Sequence, residues 1–168
     1  MQLDGLISHL RDAAVDAELD AKLRHILNIC FDPPPPAGQR FFNEMPSYRF
    51  FLDKGDHLAA HLAVHEKRLH VGDREKAFIG IAEVCVLPPY RGRGLVKRLL
   101  KEAEAQFPGV AYSMLLGDAE VYGSSGYTPV QNVIFPDVSP EPSLYVLVKL
   151  LGSETWPYEA VTIAGSTF

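Results

Sequence analysis

Hydrophobic and polar positions change period several times along the chain, and each change predicts an element. From Asp16 the apolar residues Ala17, Leu19, Leu23, Ile26, Leu27 and Cys30 recur at helical spacing, which predicts an amphipathic helix that stops at Asp32, before Pro33-Pro34-Pro35-Pro36. Upstream, residues 3–10 are short enough to form a strand or a helix, and a first strand is expected there. Residues 33–46 form a stiff, irregular connection carrying Gly38, Arg40, Phe41 and Phe42, which reads equally as a functional loop or a passive linker. Residues 48–52 read as a strand before the Lys54-Gly55-Asp56 turn, and 57–71 with 74–87 as a long hairpin turning at Gly72-Asp73.

The first strand of that hairpin contains three histidines. Alternation puts Leu58, Ala60, Leu62 and Val64 on one face and His57, Ala59, His61, Ala63 and His65 on the other, a half-polar face. On a helix, histidines four residues apart would lie about 6 Å from one another and could share a metal. On a strand the same spacing is about 13 Å, too far for one ion, so no metal is expected.

Beyond the hairpin, a helix is predicted from Leu95 to about Gln106, ended by Phe107-Pro108-Gly109, and then a strand over residues 110–116. Gly117-Asp118 starts a short helical turn through Tyr122, broken by Gly123-Ser124-Ser125-Gly126. Strands over 127–135 and 144–151 follow, separated by a turn around Pro136, Pro140 and Pro142. The remaining tail holds the only tryptophan, Trp156, and is expected to be irregular or paired at an edge. No linker, repeat or low-complexity break divides the chain, so residues 1–168 are expected to form one domain with an irregular tail from about 152.

Composition narrows the class of function. A chain of 168 residues with 47% hydrophobic content can bury a sizeable core. Its net charge of -5 argues against a general nucleic-acid binder and favours a cationic acceptor such as an amine. Cys30 and Cys85 both sit in apolar contexts, poor material for a disulfide framework, which fits a reducing compartment. Neither a membrane-spanning run nor a signal-peptide layout is present, so a cytoplasmic protein that binds no membrane is expected.

The most chemically pointed stretch joins the second hairpin strand to the following helix, Glu83-Val84-Cys85-Val86-Leu87-Pro88-Pro89-Tyr90-Arg91-Gly92-Arg93-Gly94-Leu95-Val96. Gly92 and Gly94 allow positive φ and a close approach of the backbone to a ligand, and the helix start offers unpaired N–H groups. Successive N–H groups form a nest for phosphate oxygens, to which Arg91 and Arg93 add charge. A P-loop would need Gly-Lys followed by Ser or Thr, and a dinucleotide fingerprint a third glycine; Leu95-Val96-Lys97 supplies neither.

The turn instead resembles the motif of the GNAT N-acetyltransferase superfamily, in which Arg or Gln, two residues, Gly, one residue, then Gly or Ala binds the pyrophosphate of acetyl-CoA. Arg91, Gly94 and Val96 fall on those positions, and Val96 departs from the small residue usual at the last. The stretch from Ala60 to Leu69 resembles the corresponding strand of the aminoglycoside N-acetyltransferases of the two-prime class, and Ala59-Ala60-His61 that of the nodulation-factor N-acyltransferases. Leu116-Gly117-Asp118-Ala119-Glu120-Val121-Tyr122-Gly123-Ser124-Ser125-Gly126-Tyr127 resembles a further signature of the superfamily, and the likeness spans roughly residues 5 to 150.

The resemblance implies an α/β (mixed α+β) acyl-CoA N-acyltransferase fold, with a central, mostly antiparallel mixed sheet flanked by helices. It also implies acetyl-CoA as acyl donor, no metal, and direct attack by a primary amine without a protein nucleophile. Backbone groups of Val84, Val86 and Leu87 would hold the pantetheine arm and supply an oxyanion-stabilising N–H, while Arg91, Gly92, Arg93, Gly94, Leu95 and Val96 would hold the pyrophosphate.

Tyr122 is the expected general acid, since a phenol with a reference pKa near 10 can protonate a departing thiolate. For the general base, His61 has a suitable pKa and water is an equal alternative; strand alternation turns Glu83 away from Ala82, Val84 and Val86. A buried Cys85 is not expected to be acylated. The early loop has only Asp32 and Glu44 as acids, where the aminoglycoside enzymes carry several, so a small-molecule amine is expected as acceptor, with peptide amines second. A longer acyl chain and a non-catalytic acyl-CoA-binding module are the alternatives, and a homodimer is the default assembly.

Overall fold

The structure, a computed structural model, describes residues 5–139 and 145–168. It divides into two compact units, Met1–Val64 with Glu83–Gln106, and His65–Ala82 with Phe107–Phe168. The hairpin strands β3 (Leu58–Val71) and β4 (Arg74–Val86) run through both. The sheet is mixed and mostly antiparallel, with flanking helices, as expected.

In the first unit the strand order is β1 (Ser8–Arg11), β2 (Tyr48–Asp53), β3, β4. The expected strand at 3–10 is thus shorter and later, and Leu3 and Asp4 lie outside the described residues. Helix α1 (Ala17–Cys30) starts where Asp16 caps it, its carboxylate accepting the Leu19 N–H at 2.8 Å. Leu23, Ile26 and Leu27 are fully buried and pack with Phe51, Leu58, Cys85 and Leu87. Each such side chain contributes about 1.5–3 kcal/mol by leaving water. Helix α2 (Leu95–Ala105) buries Leu95, Leu99, Leu100 and Ala103, the i, i+4, i+5, i+8 stripe that its sequence shows.

The histidine-bearing face of β3 is not the half-polar face expected. Every residue from Leu58 to His65 is buried, because both faces of the sheet are covered in this stretch. His61 and His65 are therefore interior residues, and each polar ring must find partners inside the protein.

In the second unit the order is β3, β4, β5 (Tyr112–Gly117), β8 (Tyr145–Leu150), β6 (Thr128–Val130). Along this path β4 and β5 pair in parallel, from Phe78 opposite Tyr112 to Ile81 opposite Leu115. Two-residue strands β7 (Val133–Ile134) and β9 (Val161–Thr162) pair with each other, and β9 also pairs with β3 at His70. The single strand expected over 127–135 is thus two short ones, separated by Gln131 and Asn132. Asn132 is occupied elsewhere: its side-chain amide donates to the carbonyls of Pro157 and Glu159 and its oxygen accepts from Trp156, which fastens the tail here. The tail ends on Phe168, whose ring packs on Phe78 and over Gly80. No helix among the described residues is long and apolar enough to cross a membrane.

Candidate functional site

The junction between β4 and α2 lies wholly in the first unit. The last strand residues are tied down by Leu87 N–H, which donates to Ala59 O on β3 at 2.9 Å. One turn of 3-10 helix, Pro88–Tyr90, then redirects the chain. Gly92 (φ 75) and Gly94 (φ 72) follow in the left-handed region, with Gly94 as the N-cap of α2. A Cβ on either would meet nothing within 4 Å, so the backbone angle and not crowding calls for glycine here.

The first bond of α2 is Arg98 N–H to Gly94 O, and among the described residues the N–H groups of 92–97 have no protein acceptor. A run of free donors at a helix start, with Arg91 and Arg93 exposed beside it, is an anion-binding arrangement. Leu87 and Leu95 are buried, so of the expected cofactor contacts these two can offer backbone only. Val84, Val86 and Val96 are partly exposed.

Val86 O receives two donors, Arg91 Nε at 2.9 Å and Cys30 Sγ at 3.6 Å. The Cys30 thiol has its pKa lowered to about 6, first by its hydrogen bond with Cys85 and then, against burial, by Arg91. Cys85 shifts the other way, well above the ordinary thiol value, through the same pairing and its burial. Both cysteines are free, and the buried Cys85 is the inert partner.

Strand β4 is not regular where it enters this unit. Glu83 has φ 53, the only non-glycine with positive φ among the described residues. Such a residue costs of order 1–3 kcal/mol and persists only where its surroundings impose it. The positive φ interrupts the alternation from which Glu83 was expected to face away from its neighbours, and the side chain turns into the interior with 6% exposure.

There it meets Arg49, which is fully buried. Arg49 Nη1 donates to Glu83 Oε2 at 2.7 Å, Nε to Asp12 Oδ1 at 2.8 Å and Nη2 to Arg40 O at 2.8 Å. Arg40 in turn binds Asp12 at 2.7 Å and Asp20 at 3.0 Å. Burial raises the Asp12 carboxyl, but Arg40 and Arg49 outweigh it, and the group lies below the usual carboxylate range. For Glu83 burial wins over Arg49, and its pKa is raised.

His61 belongs to the same cluster. Its Nε2 lies 3.3 Å from Arg49 Nη1 and its Nδ1 3.0 Å from Glu83 O. Arginine can only donate, so Nε2 is the acceptor and the proton sits on Nδ1, donating to the Glu83 carbonyl. Burial, reinforced by the Arg49 charge, pushes the imidazole well below its ordinary value.

Tyr122 lies in the second unit, at the end of the short helix α3 (Ala119–Tyr122), which Asp118 caps by accepting the Glu120 N–H at 2.8 Å. Its ring packs edge-on to Tyr127 and over Gly117, where a Cβ would stand 2.8 Å from the ring. The expected site residues thus fall in two groups: His61 with Val84 through Val96 in one unit, Tyr122 in the other. Arg49, Asp12 and Arg40 were not among the expected residues. Their signal was a lone arginine in the apolar run Tyr48-Arg49-Phe50-Phe51-Leu52, which can be buried only if paired. Among the described residues no group of three or more His, Cys, Asp or Glu side chains could hold a metal ion.

A mixed sheet whose strand-to-helix turn presents open N–H groups and arginines is an α/β arrangement suited to an anion. Residues 13–130 match the family model described as an acetyltransferase (GNAT) domain, and the chain belongs to that family. Solved structures share the fold. The GNAT family N-acetyltransferase YhbS from Escherichia coli, crystallised with CoA, is 14% identical with TM-score 0.68, covering 98% of this chain and 92% of that one. A GNAT family acetyltransferase from Brucella melitensis, in complex with acetyl-CoA, is 19% identical with TM-score 0.62 over 94% and 96%. An acyl-CoA N-acyltransferase from Pseudomonas aeruginosa is 16% identical with TM-score 0.64 over 87% and 99%. No curated protein matches the chain.

Proposed function

We propose that the protein is an acetyl-CoA-dependent N-acetyltransferase whose acceptor is the primary amine of a small molecule. The observation that carries this is the run of open N–H groups at 92–97 beside Arg91 and Arg93, in a chain of the GNAT family. In this reading Arg91, Gly92, Arg93, Gly94, Leu95 and Val96 hold the pyrophosphate of the donor, and backbone groups of Val84, Val86 and Leu87 its pantetheine arm.

The neutral amine attacks the thioester carbonyl, the C–N bond forms and the C–S bond breaks, with the oxyanion stabilised by a strand N–H. Tyr122 gives its phenolic proton to the departing thiolate. The amine's surplus proton leaves to water. His61, the other candidate base, already has Arg49 against the only nitrogen that could take a proton, which suits it to holding Glu83.

The acids of the early segment favour a small, weakly charged acceptor over a polycationic aminoglycoside. Asp12 and Asp20 are both engaged by arginines, leaving them poorly placed to pair with a drug's ammonium groups. The two free thiols support a reducing, cytoplasmic setting.

The test is release of free CoA from acetyl-CoA in the presence of a broad panel of primary amines, followed by a thiol reagent. Amine-dependent release supports the reading. Binding of acetyl-CoA with no release from any amine would make the protein a non-catalytic acyl-CoA module, and stabilisation by palmitoyl-CoA alone would make it a longer-chain acyltransferase.

A further inference from the structure

The arginine-centred cluster under β4 lies outside the donor turn, and it ties three parts of the first unit together. Glu83 is held at two points by one guanidinium. Arg49 grips its carboxylate directly, and through His61, which accepts from Arg49 and donates to Glu83 O, it also fixes the residue's own carbonyl. The backbone of Phe42, in the loop of 33–46, lies close enough to Glu83 to favour its charged form. Arg49 Nη2 reaches that loop again at Arg40 O.

A left-handed residue alone would not require this apparatus. Glycine adopts φ near +53 without help, and a buried ion set is a weak source of stability compared with apolar packing of the same volume. What the chain gains from Glu83 and Arg49 that it would not gain from glycine is a fixed relation between the irregular point of β4 and the loop carrying Arg40 and Phe42. A left-handed residue within a strand changes the direction of the groups beside it, and here it immediately precedes Val84.

We propose that Arg49 is a positioning residue for acyl transfer: its guanidinium holds Glu83 in the left-handed conformation and so sets the β4 backbone at Val84 to Val86 against the thioester, leaving most of the donor affinity to the turn at 91–96. This rests on the acetyltransferase reading above. Glu83 in this account is a bracket for the backbone and takes no proton from the amine.

Two pairs of variants test it, with acetyl-CoA Kd and steady-state kcat measured on each. Arg49→Met is expected to lower kcat by about 100-fold while weakening acetyl-CoA binding by no more than about threefold, because the turn at 91–96 is untouched. Adding Glu83→Gly to it is expected to recover most of that loss, because glycine adopts the left-handed angle without a bracket. Should Arg49→Met fail to fold, Glu83→Ala against Glu83→Gly decides: both delete the carboxylate, but only glycine tolerates the backbone angle, so alanine is expected to be slower. Equal loss in those two would overturn the proposal and assign the chemistry to the carboxylate; so would an Arg49→Met enzyme with wild-type kcat. A wild-type protein that neither binds acetyl-CoA nor releases CoA would instead overturn the functional reading, and the positioning role with it.

Discussion

Arg91 Nε donates to the carbonyl oxygen of Val86 at 2.9 Å, which ties the first cation of the turn back to the strand it follows. With Nε so used, the two terminal nitrogens of the guanidinium are directed by the strand and not only by the side chain's own rotamers. A preset arginine loses less freedom on meeting a phosphate than a mobile one. Arg91→Ala is expected to weaken acetyl-CoA binding by about tenfold, the value of one charge-assisted contact of roughly 1.4 kcal/mol. The same variant is expected to raise the pKa of the Cys30 thiol, since Arg91 is one of the groups that lower it to about 6. Calorimetry measures the first effect and the pH dependence of iodoacetamide labelling the second; an unchanged affinity would contradict the assigned role.

Tyr122→Phe removes only a hydroxyl, while the ring that covers Gly117 and meets Tyr127 stays. Its expected effect is a fall in kcat of about 100-fold with little change in thermal stability. Wild-type turnover in a folded variant would remove Tyr122 from the mechanism.

Gly80 has no room for a side chain, because a Cβ there would stand 2.6 Å from the Phe168 ring. Gly80→Ala is expected to destabilise the protein by about 1–3 kcal/mol, the usual range for forcing a methyl into a packed site. In a Phe168→Ala background that penalty is expected to vanish. Urea denaturation of the four proteins of the cycle reads the coupling directly, and simple additivity would contradict the contact.

Much of the first unit was legible in the chain because its signals are local. The four-proline stop, the glycines of the turn and the stripe of Leu95, Leu99 and Ala103 each fix backbone geometry within a few residues. Glu83 gave no such signal. Nothing in Ala82-Glu83-Val84 distinguishes a positive φ from a regular strand, since the partner that holds Glu83 in it is Arg49, a residue 34 positions away. The histidine face of β3 was misjudged for a related reason. Alternation sorts residues between two faces but does not say whether both are covered, and here both are. The tail's two-residue β9 is likewise set by its partners β3 and β7 and is too short to carry a period of its own.

Protonation of His61 should govern part of the pH dependence of stability. Burial, with Arg49 beside it, holds the folded imidazole well below 6.5, so it stays neutral while the unfolded chain takes up a proton near that value. Below about pH 6.5 the unfolded state therefore binds more protons, and stability falls as pH falls, by up to about 1.4 kcal/mol per pH unit. His61→Gln keeps one donor and one acceptor without a titrating ring. Its urea midpoint is expected to vary less than that of the wild type between about pH 6.5 and 4.5, and parallel curves would contradict a neutral buried His61.

Binding of acyl-CoA phosphates by the turn at 92–97 is read out by titrating the protein with acetyl-CoA and, separately, with acetyl-pantetheine, which carries the same thioester and arm without the nucleotide and pyrophosphate. Acetyl-CoA is expected to bind at one site per chain, about 100-fold more tightly than acetyl-pantetheine, with most of that difference lost in Gly94→Ala, where the φ 72 backbone is strained. Equal affinity for the two ligands, or a difference untouched by Gly94→Ala, would contradict it.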